Sequence, residues 1–195
     1  MPWAKGLFKE RNHRYFFPLW SSIAALHLAS VGLVVLFVRQ AGGQLDDIGF
    51  KMLAPQFAMT LGTFALIGMV LVLWRQSVPA ARKSRLPEIM LVILPATLGE
   101  RVFWIFMCVT AGLCEELVYR GFGICALRGN GVPAWLAVIL VSVAFVLIHG
   151  LWGLRRFPFY FIVGLLYSAL FLWIQSLTPG IWIHTVWDMV FILAS

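Results

Sequence analysis

The sequence predicts an all-α, polytopic integral membrane protein, a bundle of about six transmembrane helices. Apolar residues make up 62% of its 195 residues, against roughly 45–50% in soluble domains. The mean hydropathy is +0.92, and only 12% of the residues are charged. The apolar residues also collect into runs close to the ~20 residues that a helix needs to cross a bilayer. Because a soluble domain of this size could not bury so much apolar surface, we expect a lipid bilayer around it.

Six apolar segments approach the length of a membrane span. They cover about residues 18–38, 54–74, 102–127, 134–151, 158–175 and 181–195. Residues 86–98 are also apolar but too short to cross, and Pro87 and Pro95 bracket them, so we interpret them as an interfacial segment. We predict one membrane domain in two parts: residues 1–85, a basic segment with two leading helices, and residues 86–195, which carry the candidate site.

The basic residues predict the orientation of the chain. The net charge is +7, and ten basic residues fall in stretches that six helices would place on one side: Lys5, Lys9, Arg11, Arg14, Arg75, Arg82, Lys83, Arg85, Arg155 and Arg156. The opposite loops hold Arg39, Lys51 and Arg128. This asymmetry favours both termini in the cytoplasm. The first apolar run is long and no small-residue cleavage site clearly follows it, so we expect an uncleaved helix. We expect the membrane to be the plasma membrane of a prokaryote. Charges placed between apolar segments indicate topology, so we expect no nucleic-acid partner.

An acidic pair lies near the middle of the third segment. Each charge inside a membrane helix costs a few kcal/mol, so Glu115, Glu116 and Arg120 need an explanation. Glu116 and Arg120 are four residues apart and can pair on one helix face. Glu115 lies ~100° further round the helix, which leaves it as a candidate general base. The structural alternative is a buried Glu116–Arg120 ion pair that locks two helices, with Glu115 as a second structural carboxylate.

Later segments add three more ionisable residues. His149 ends an apolar run, and His184 and Asp188 are four residues apart on one face of the last segment. A lone membrane histidine more often bonds a neighbouring helix, and we assign His13 and His27 to that class or to the interface. Three segments that each supply ionisable groups are instead typical of a site built inside a bundle. The three cysteines show no Cys-x-x-Cys spacing and are interpreted as small buried side chains.

Three motifs in order give the chain a family resemblance. Residues 110–122, Thr-Ala-Gly-Leu-Cys-Glu-Glu-Leu-Val-Tyr-Arg-Gly-Phe, resemble the Glu-Glu-x-x-x-Arg motif of the CAAX prenyl protease and bacteriocin-processing (CPBP, or Abi) family. Phe145 to His149 is similar to its Phe-x-x-x-His motif. His184 to Asp188 is similar to its third motif, His-x-x-x-Asn or Asp. The resemblance covers about residues 86–195, which it implies are a catalytic core.

The resemblance implies an intramembrane endopeptidase. By matching position, Glu115 would activate a water molecule with the help of His149, and His184 with Asp188 would form the oxyanion site. Glu116 and Arg120 would order the site or contact substrate. Prenyl-protein members usually have Asn where this chain has Asp188, which makes a prenylated substrate less certain. The expected partners are the bilayer and a membrane-bound peptide or protein: a small peptide, a bacteriocin-like precursor or a lipidated C-terminus.

No cofactor is expected, although family members are often labelled metalloproteases. The chain lacks His-Glu-x-x-His, so zinc stays an alternative, with Glu115, His149 and His184 as its ligands. Two other functions stay open: a catalytically silent scaffold or immunity protein, and a small proton-coupled transporter. A scaffold would tolerate Glu115→Ala, whereas the flux through a transporter would follow the proton gradient. The sequence leaves the oligomeric state open.

The last segment poses a geometric problem. Its 15 residues give ~22 Å of helix, too short to span, and His184 would lie near the outer surface. We therefore predict that residues 176–180 enter the protein in a non-helical conformation, which protein cover allows at depth. His184 would then lie within ~10 Å of Glu115 or be joined to it by a water-filled path.

Overall fold

The computed structural model describes residues 15–51, isolated positions between 59 and 95, and residues 97–149 and 157–194, with side chains as far as 190. Every element in these described ranges is helical, which confirms the predicted all-α class. The second predicted span, residues 54–74, lies almost wholly outside them. So do most of the interfacial segment 86–98 and the ten basic residues predicted to share one side.

Five helices follow one another in the described ranges. They are α1 (Phe16–Gln40), α2 (Leu98–Gly129), α3 (Ala134–His149), α4 (Phe157–Ile174) and α5 (Thr178–Ala194). Each overlaps one of the predicted segments. A short 3-10 turn, Leu45–Ile48, follows α1. A reciprocal pair of bonds fixes the start of α2, because the Glu100 nitrogen donates to Thr97 Oγ1 and the Thr97 nitrogen donates to the Glu100 carboxylate.

Three of these helices are long and apolar enough to cross a membrane: α1, α2 and α4. Many of their large apolar side chains are exposed, which would be unfavourable in water. Leu26 is 70% exposed, Leu166 63% and Trp173 83%. Outward apolar surface on apolar helices is expected where lipid is the solvent. The chain is therefore an all-helical membrane protein.

The middle of α2 departs from α-helical geometry. The helix is α-helical over Leu98–Glu115, π-helical over Glu116–Ile124, and α-helical again over Cys125–Gly129. The apolar run predicted a helix here and gave no sign of π-helical turns. Gly121 and Gly123 lie within the wider turns, where they weaken the preference for the α-helix. The acidic pair lies where the helix changes geometry. π-Helical turns are rare overall, but those that occur are often found at functional sites, so this position is a candidate site.

The described residues divide into two compact units. One holds residues 15–26, 97–111 and 184–194, together with the isolated positions, and the other holds residues 27–51, 112–149 and 157–183. In the first unit, the starts of α1 and α2 meet through aromatic side chains. The Trp20 and Trp104 rings pack edge to face with centroids 4.5 Å apart, and Phe16 packs against Phe103 at 6.4 Å.

In the second unit, α3 and α4 are antiparallel neighbours. Near their connection the rings of His149 and Tyr160 lie 4.9 Å apart. Further along, Gly164 faces Ser142 so closely that a Cβ at 164 would lie 3.0 Å from the Ser142 Cβ. The missing side chain lets the two backbones approach. The two helices pack against each other and against the π-helical part of α2.

The start of the last helix differs from the prediction. We expected residues 176–180 to be non-helical, but α5 begins at Thr178. The Ile181 nitrogen donates to the Leu177 carbonyl, and the Thr178 nitrogen donates to Ser176 Oγ. Proline is tolerated in a first helical turn because its missing N–H has no partner to lose there, so Pro179 allows this early start. Leu177 is only 1% exposed, so the protein does cover this junction.

Candidate active site

The candidate site is built around the Glu115 carboxylate, at the last α-helical residue before the π-helical part of α2. Its side chain is 12% exposed. Two histidines from other helices approach it, each on a different oxygen. His27 Nε2, from α1, lies 3.2 Å from Oε1, and His149 Nε2, from the end of α3, lies 3.8 Å from Oε2. Two of the residues predicted for catalysis, Glu115 and His149, are therefore together.

A contact of Nδ1 selects the tautomer of the neutral His149 ring. Its Nδ1 lies 2.8 Å from the Phe145 carbonyl oxygen. A carbonyl only accepts, so Nδ1 carries the proton. In the neutral ring Nε2 then holds a lone pair, and this atom faces Glu115. His149 is thus set to accept a proton on the side of the candidate base.

Ring stacking fixes the plane of the same imidazole. The His149 ring lies between Phe145, at 4.3 Å between centroids, and Tyr160, at 4.9 Å. Phe145 belongs to α3 one turn earlier, whereas Tyr160 belongs to α4. The Phe-x-x-x-His motif therefore does two things here: the Phe145 carbonyl orients Nδ1, and its ring supports the imidazole face.

The neighbouring acid, Glu116, is engaged in a buried ion pair. Arg120 Nη1 donates to Glu116 Oε1 at 2.8 Å, and the two side chains are 0% and 1% exposed. The guanidinium carbon also lies over three rings: Phe145 at 4.6 Å, Tyr167 at 5.3 Å and Tyr119 at 5.9 Å. Aromatic faces stabilise a cation that has left water. Phe145 thus contacts both the ion pair and His149.

The start of α5 closes the ion pair from its other side. A Cβ added at Gly180 would meet Glu116 Oε2 at 2.8 Å and Cδ at 3.3 Å. Gly180→Ala must therefore displace a carboxylate that Arg120 holds. We expect it to lower the free energy of unfolding by about 1–3 kcal/mol, the usual cost of overpacking. Thermal unfolding of the purified protein in detergent would measure the change.

Gly32 provides the matched control for that variant. It lies inside α1, and a Cβ added there meets no atom within 4 Å among the residues that the structure describes. Gly32→Ala should be neutral, or stabilising by up to ~1 kcal/mol through helix propensity. Equal stability of the two variants would contradict the close packing of Gly180 against Glu116.

His184 and Asp188 belong to the other compact unit, where they form a pair of their own. Along α5, His184 Nε2 lies 3.7 Å from Asp188 Oδ2, with the side chains 7% and 32% exposed. This distance is longer than a hydrogen bond. Thr185 and Met189, next to them in the sequence, are buried at 0% and 1%. That His184 and Asp188 share one site with Glu115 stays a prediction.

The sequence analysis gave His27 no place beside the candidate base. It is the one ionisable residue of α1 before Arg39, and its own helix offers no partner from which a motif could be recognised. A polar side chain in an otherwise apolar run was the only signal, and that signal predicted bonding to a neighbouring helix. The structure identifies the neighbour as Glu115.

The arrangement of donor groups bears on the zinc alternative. Within the parts of the chain that the structure describes, no three His, Cys, Asp or Glu side chains are placed to hold one metal ion. The histidines next to Glu115 approach opposite oxygens of its carboxylate.

The fold and the grouped acids and histidines define a class of protein, an all-helical membrane protein with an ionisable site among its helices. Residues 97–190 match the family model described as Type II CAAX prenyl endopeptidase Rce1-like. The match confirms the resemblance that the three motifs indicated, because this part of the chain is similar to that family. This similarity supports protease activity within a membrane in general. Searches of curated proteins and of solved structures found no match to the chain.

Proposed function

We propose that this protein is an intramembrane endopeptidase of the CAAX-protease or Abi type, in which Glu115 and His149 together activate the attacking water. The main support is the 3.8 Å between His149 Nε2 and Glu115 Oε2. Because Nδ1 of His149 is engaged with the Phe145 carbonyl, both facing atoms are proton acceptors. A water molecule between two acceptors can donate one hydrogen bond to each, and its oxygen lone pairs then point away towards the substrate.

The proposed reaction is a hydrolysis with balanced proton transfers. Glu115 removes a proton from water as the water oxygen bonds to the scissile carbonyl carbon, which gives a tetrahedral oxyanion. The carbon–nitrogen bond then breaks, and the leaving amine takes the proton from Glu115. His149 Nε2 accepts a hydrogen bond from the second O–H of the water, and that proton stays on the oxygen that becomes part of the new carboxyl group. Glu116 and Arg120 contribute by ordering the π-helical part of α2 next to the base.

His184 and Asp188 are proposed to stabilise the oxyanion. A nitrogen-bound proton of His184 would donate to the developing charge, which is the form of stabilisation most acyl-transfer enzymes use. Asp188, as a carboxylate, would select the tautomer of His184, or act on the oxyanion through a water molecule. Asn is usual at this position in prenyl-protein members, so Asp188 favours substrates beyond prenylated CAAX termini.

The proposed substrate is a membrane-bound peptide or the C-terminus of a membrane protein. The candidate residues lie on helices that span or approach the bilayer, so a scissile bond must reach the protein from the membrane. We propose that both termini are cytoplasmic, because of the distribution of the basic residues, and that the membrane is the plasma membrane of a prokaryote. No cofactor is part of the proposal.

The proposal predicts cleavage by purified protein in liposomes. The substrates would be a single-span peptide, a farnesylated peptide ending in Cys-Ala-Ala-X, and the same peptide without its lipid. We expect cleavage of at least one that persists in EDTA, and a loss of about 10²–10⁴-fold in His149→Ala at unchanged thermal stability. Mass spectrometry of the products gives the rate and the cleaved bond.

Two outcomes would contradict the proposal and favour either a zinc mechanism or a transporter. Activity that EDTA abolishes and zinc restores would favour the metal mechanism with Glu115, His149 and His184. The absence of cleavage, together with solute flux that follows an imposed proton gradient, would favour the transporter.

A further inference from the structure

The geometry at α1 points to a role for His27, and we propose that it is a positioning residue that holds the Glu115 carboxylate through an Nε2–H···Oε1 hydrogen bond. The inference rests on the proposed function and adds a residue from a helix that the three motifs do not include. His27 Nε2 lies 3.2 Å from Glu115 Oε1, within the range of such bonds. The His27 side chain is 18% exposed and that of Glu115 is 12% exposed.

The other ring nitrogen of His27 selects the tautomer. Among the residues that the structure describes, Nδ1 of His27 is buried without a hydrogen-bond partner. A proton there would be a buried donor with no acceptor, which is unfavourable. An ionised carboxylate oxygen only accepts, so the nitrogen that faces it must carry the proton. The neutral ring protonated at Nε2 satisfies both conditions.

His27 and His149 therefore approach Glu115 with opposite properties. His149 is protonated at Nδ1, which bonds the Phe145 carbonyl, so its Nε2 accepts. His27 is protonated at Nε2 and donates. Each histidine meets a different oxygen of the carboxylate, Oε1 for His27 and Oε2 for His149. One oxygen is thus held by a donor while the other faces the acceptor and the position proposed for the water.

Holding Oε1 matters because the last torsion of a glutamate side chain is soft. Rotation about the bond to the carboxylate is broad and nearly two-fold. Without a fixed donor, the carboxylate plane would turn, and Oε2 would spend less time opposite His149. A bond from α1 restricts that rotation, in the way that outer hydrogen bonds orient the reacting groups of other sites. His27 itself touches neither the proposed water nor the substrate in this scheme.

The experiment compares His27→Phe with His27→Gln. Phenylalanine keeps a flat ring but has no donor, whereas the glutamine amide offers an N–H at similar reach. We expect kcat to fall about 10- to 100-fold in His27→Phe, the effect of one hydrogen bond to a charged group, with KM changed less than about twofold. His27→Gln should restore kcat to within about fivefold of the wild type. Ser22→Ala is the control, because in the described part of the chain this exposed hydroxyl donates only to the Pro18 carbonyl oxygen.

A nitrogen NMR spectrum tests the same bond without any substrate. The chain has four histidines, and selective ¹⁵N labelling with His27→Gln and His149→Ala for assignment separates the two rings. We expect a protonated Nε2 on His27 and a protonated Nδ1 with a bare Nε2 on His149. A bare Nε2 on His27 would overturn the proposal even if every variant folds poorly.

The outcomes distinguish a failure of the role proposed for His27 from a failure of the proposed function. Cleavage by wild type that Glu115→Gln abolishes but His27→Phe leaves intact would sink the role of His27 alone. Equal losses of kcat in His27→Phe and His27→Gln would also reject the hydrogen bond as the cause. If the wild type cleaves nothing, the proposed function fails, and the bond to Glu115 is then decided by the spectrum.

Discussion

Glu115→Gln should abolish peptide hydrolysis, with a loss of about 10²–10⁴-fold in kcat, while the protein stays folded. Glutamine has the same size and can still accept a bond from His27 through its carbonyl oxygen. Its amide cannot take a proton from water at any ordinary pH. The carboxylate is 12% exposed and is not the acid held by Arg120. The substitution therefore removes the base and leaves the buried ion pair in place.

Asp46→Asn is the matched control for that experiment. It makes the same carboxylate-to-amide change on an exposed residue of the Leu45–Ile48 turn. This variant should cleave at the wild-type rate. The measurement is the initial rate on a peptide that the wild type cleaves, with thermal unfolding of each variant alongside. More than about a tenth of wild-type activity in Glu115→Gln would exclude Glu115 as the base and return it to a structural role.

Arg120→Met should lower the free energy of unfolding by about 3–5 kcal/mol, the cost of breaking a buried ion pair from one side. Arg120 is 0% exposed and donates to Glu116 at 2.8 Å. Methionine fills part of the space among the Phe145, Tyr167 and Tyr119 rings but leaves the Glu116 charge without its guanidinium. Unfolding in mixed detergent micelles would report the change.

The double variant Glu116→Gln with Arg120→Met is the control. It removes both charges together, so much of the loss should be recovered, because a neutral pair avoids the unpaired buried charge. Losses that simply add in the double variant would contradict the ion pair as the source of stability. The cleavage rate of the double variant is a second measurement. If Glu116 and Arg120 only support the site, residual cleavage should remain. If they act directly in catalysis, cleavage should be lost.

Much of the candidate site was accessible from the sequence because its signals are local. Glu116 and Arg120 are four residues apart, and their pairing follows from helical spacing even though the turn proves to be π-helical. His149 was placed beside Glu115 through the motif order, and the structure puts its Nε2 3.8 Å from that carboxylate. The π-helical turns themselves were missed, since their hydrogen bonds depend on packing rather than on a residue pattern.

The sequence by itself determined that this is an all-helical membrane protein, where its described helices lie to within a few residues, and which family its residues 97–190 resemble. These properties depend on runs of apolar residues and on fixed spacings, which the chain carries before it folds. Only the tertiary structure decided which histidine meets which oxygen of Glu115 and that α1 supplies His27. Such contacts depend on the rotation and depth of one helix against another, and neither is encoded in the periodicity of a single helix.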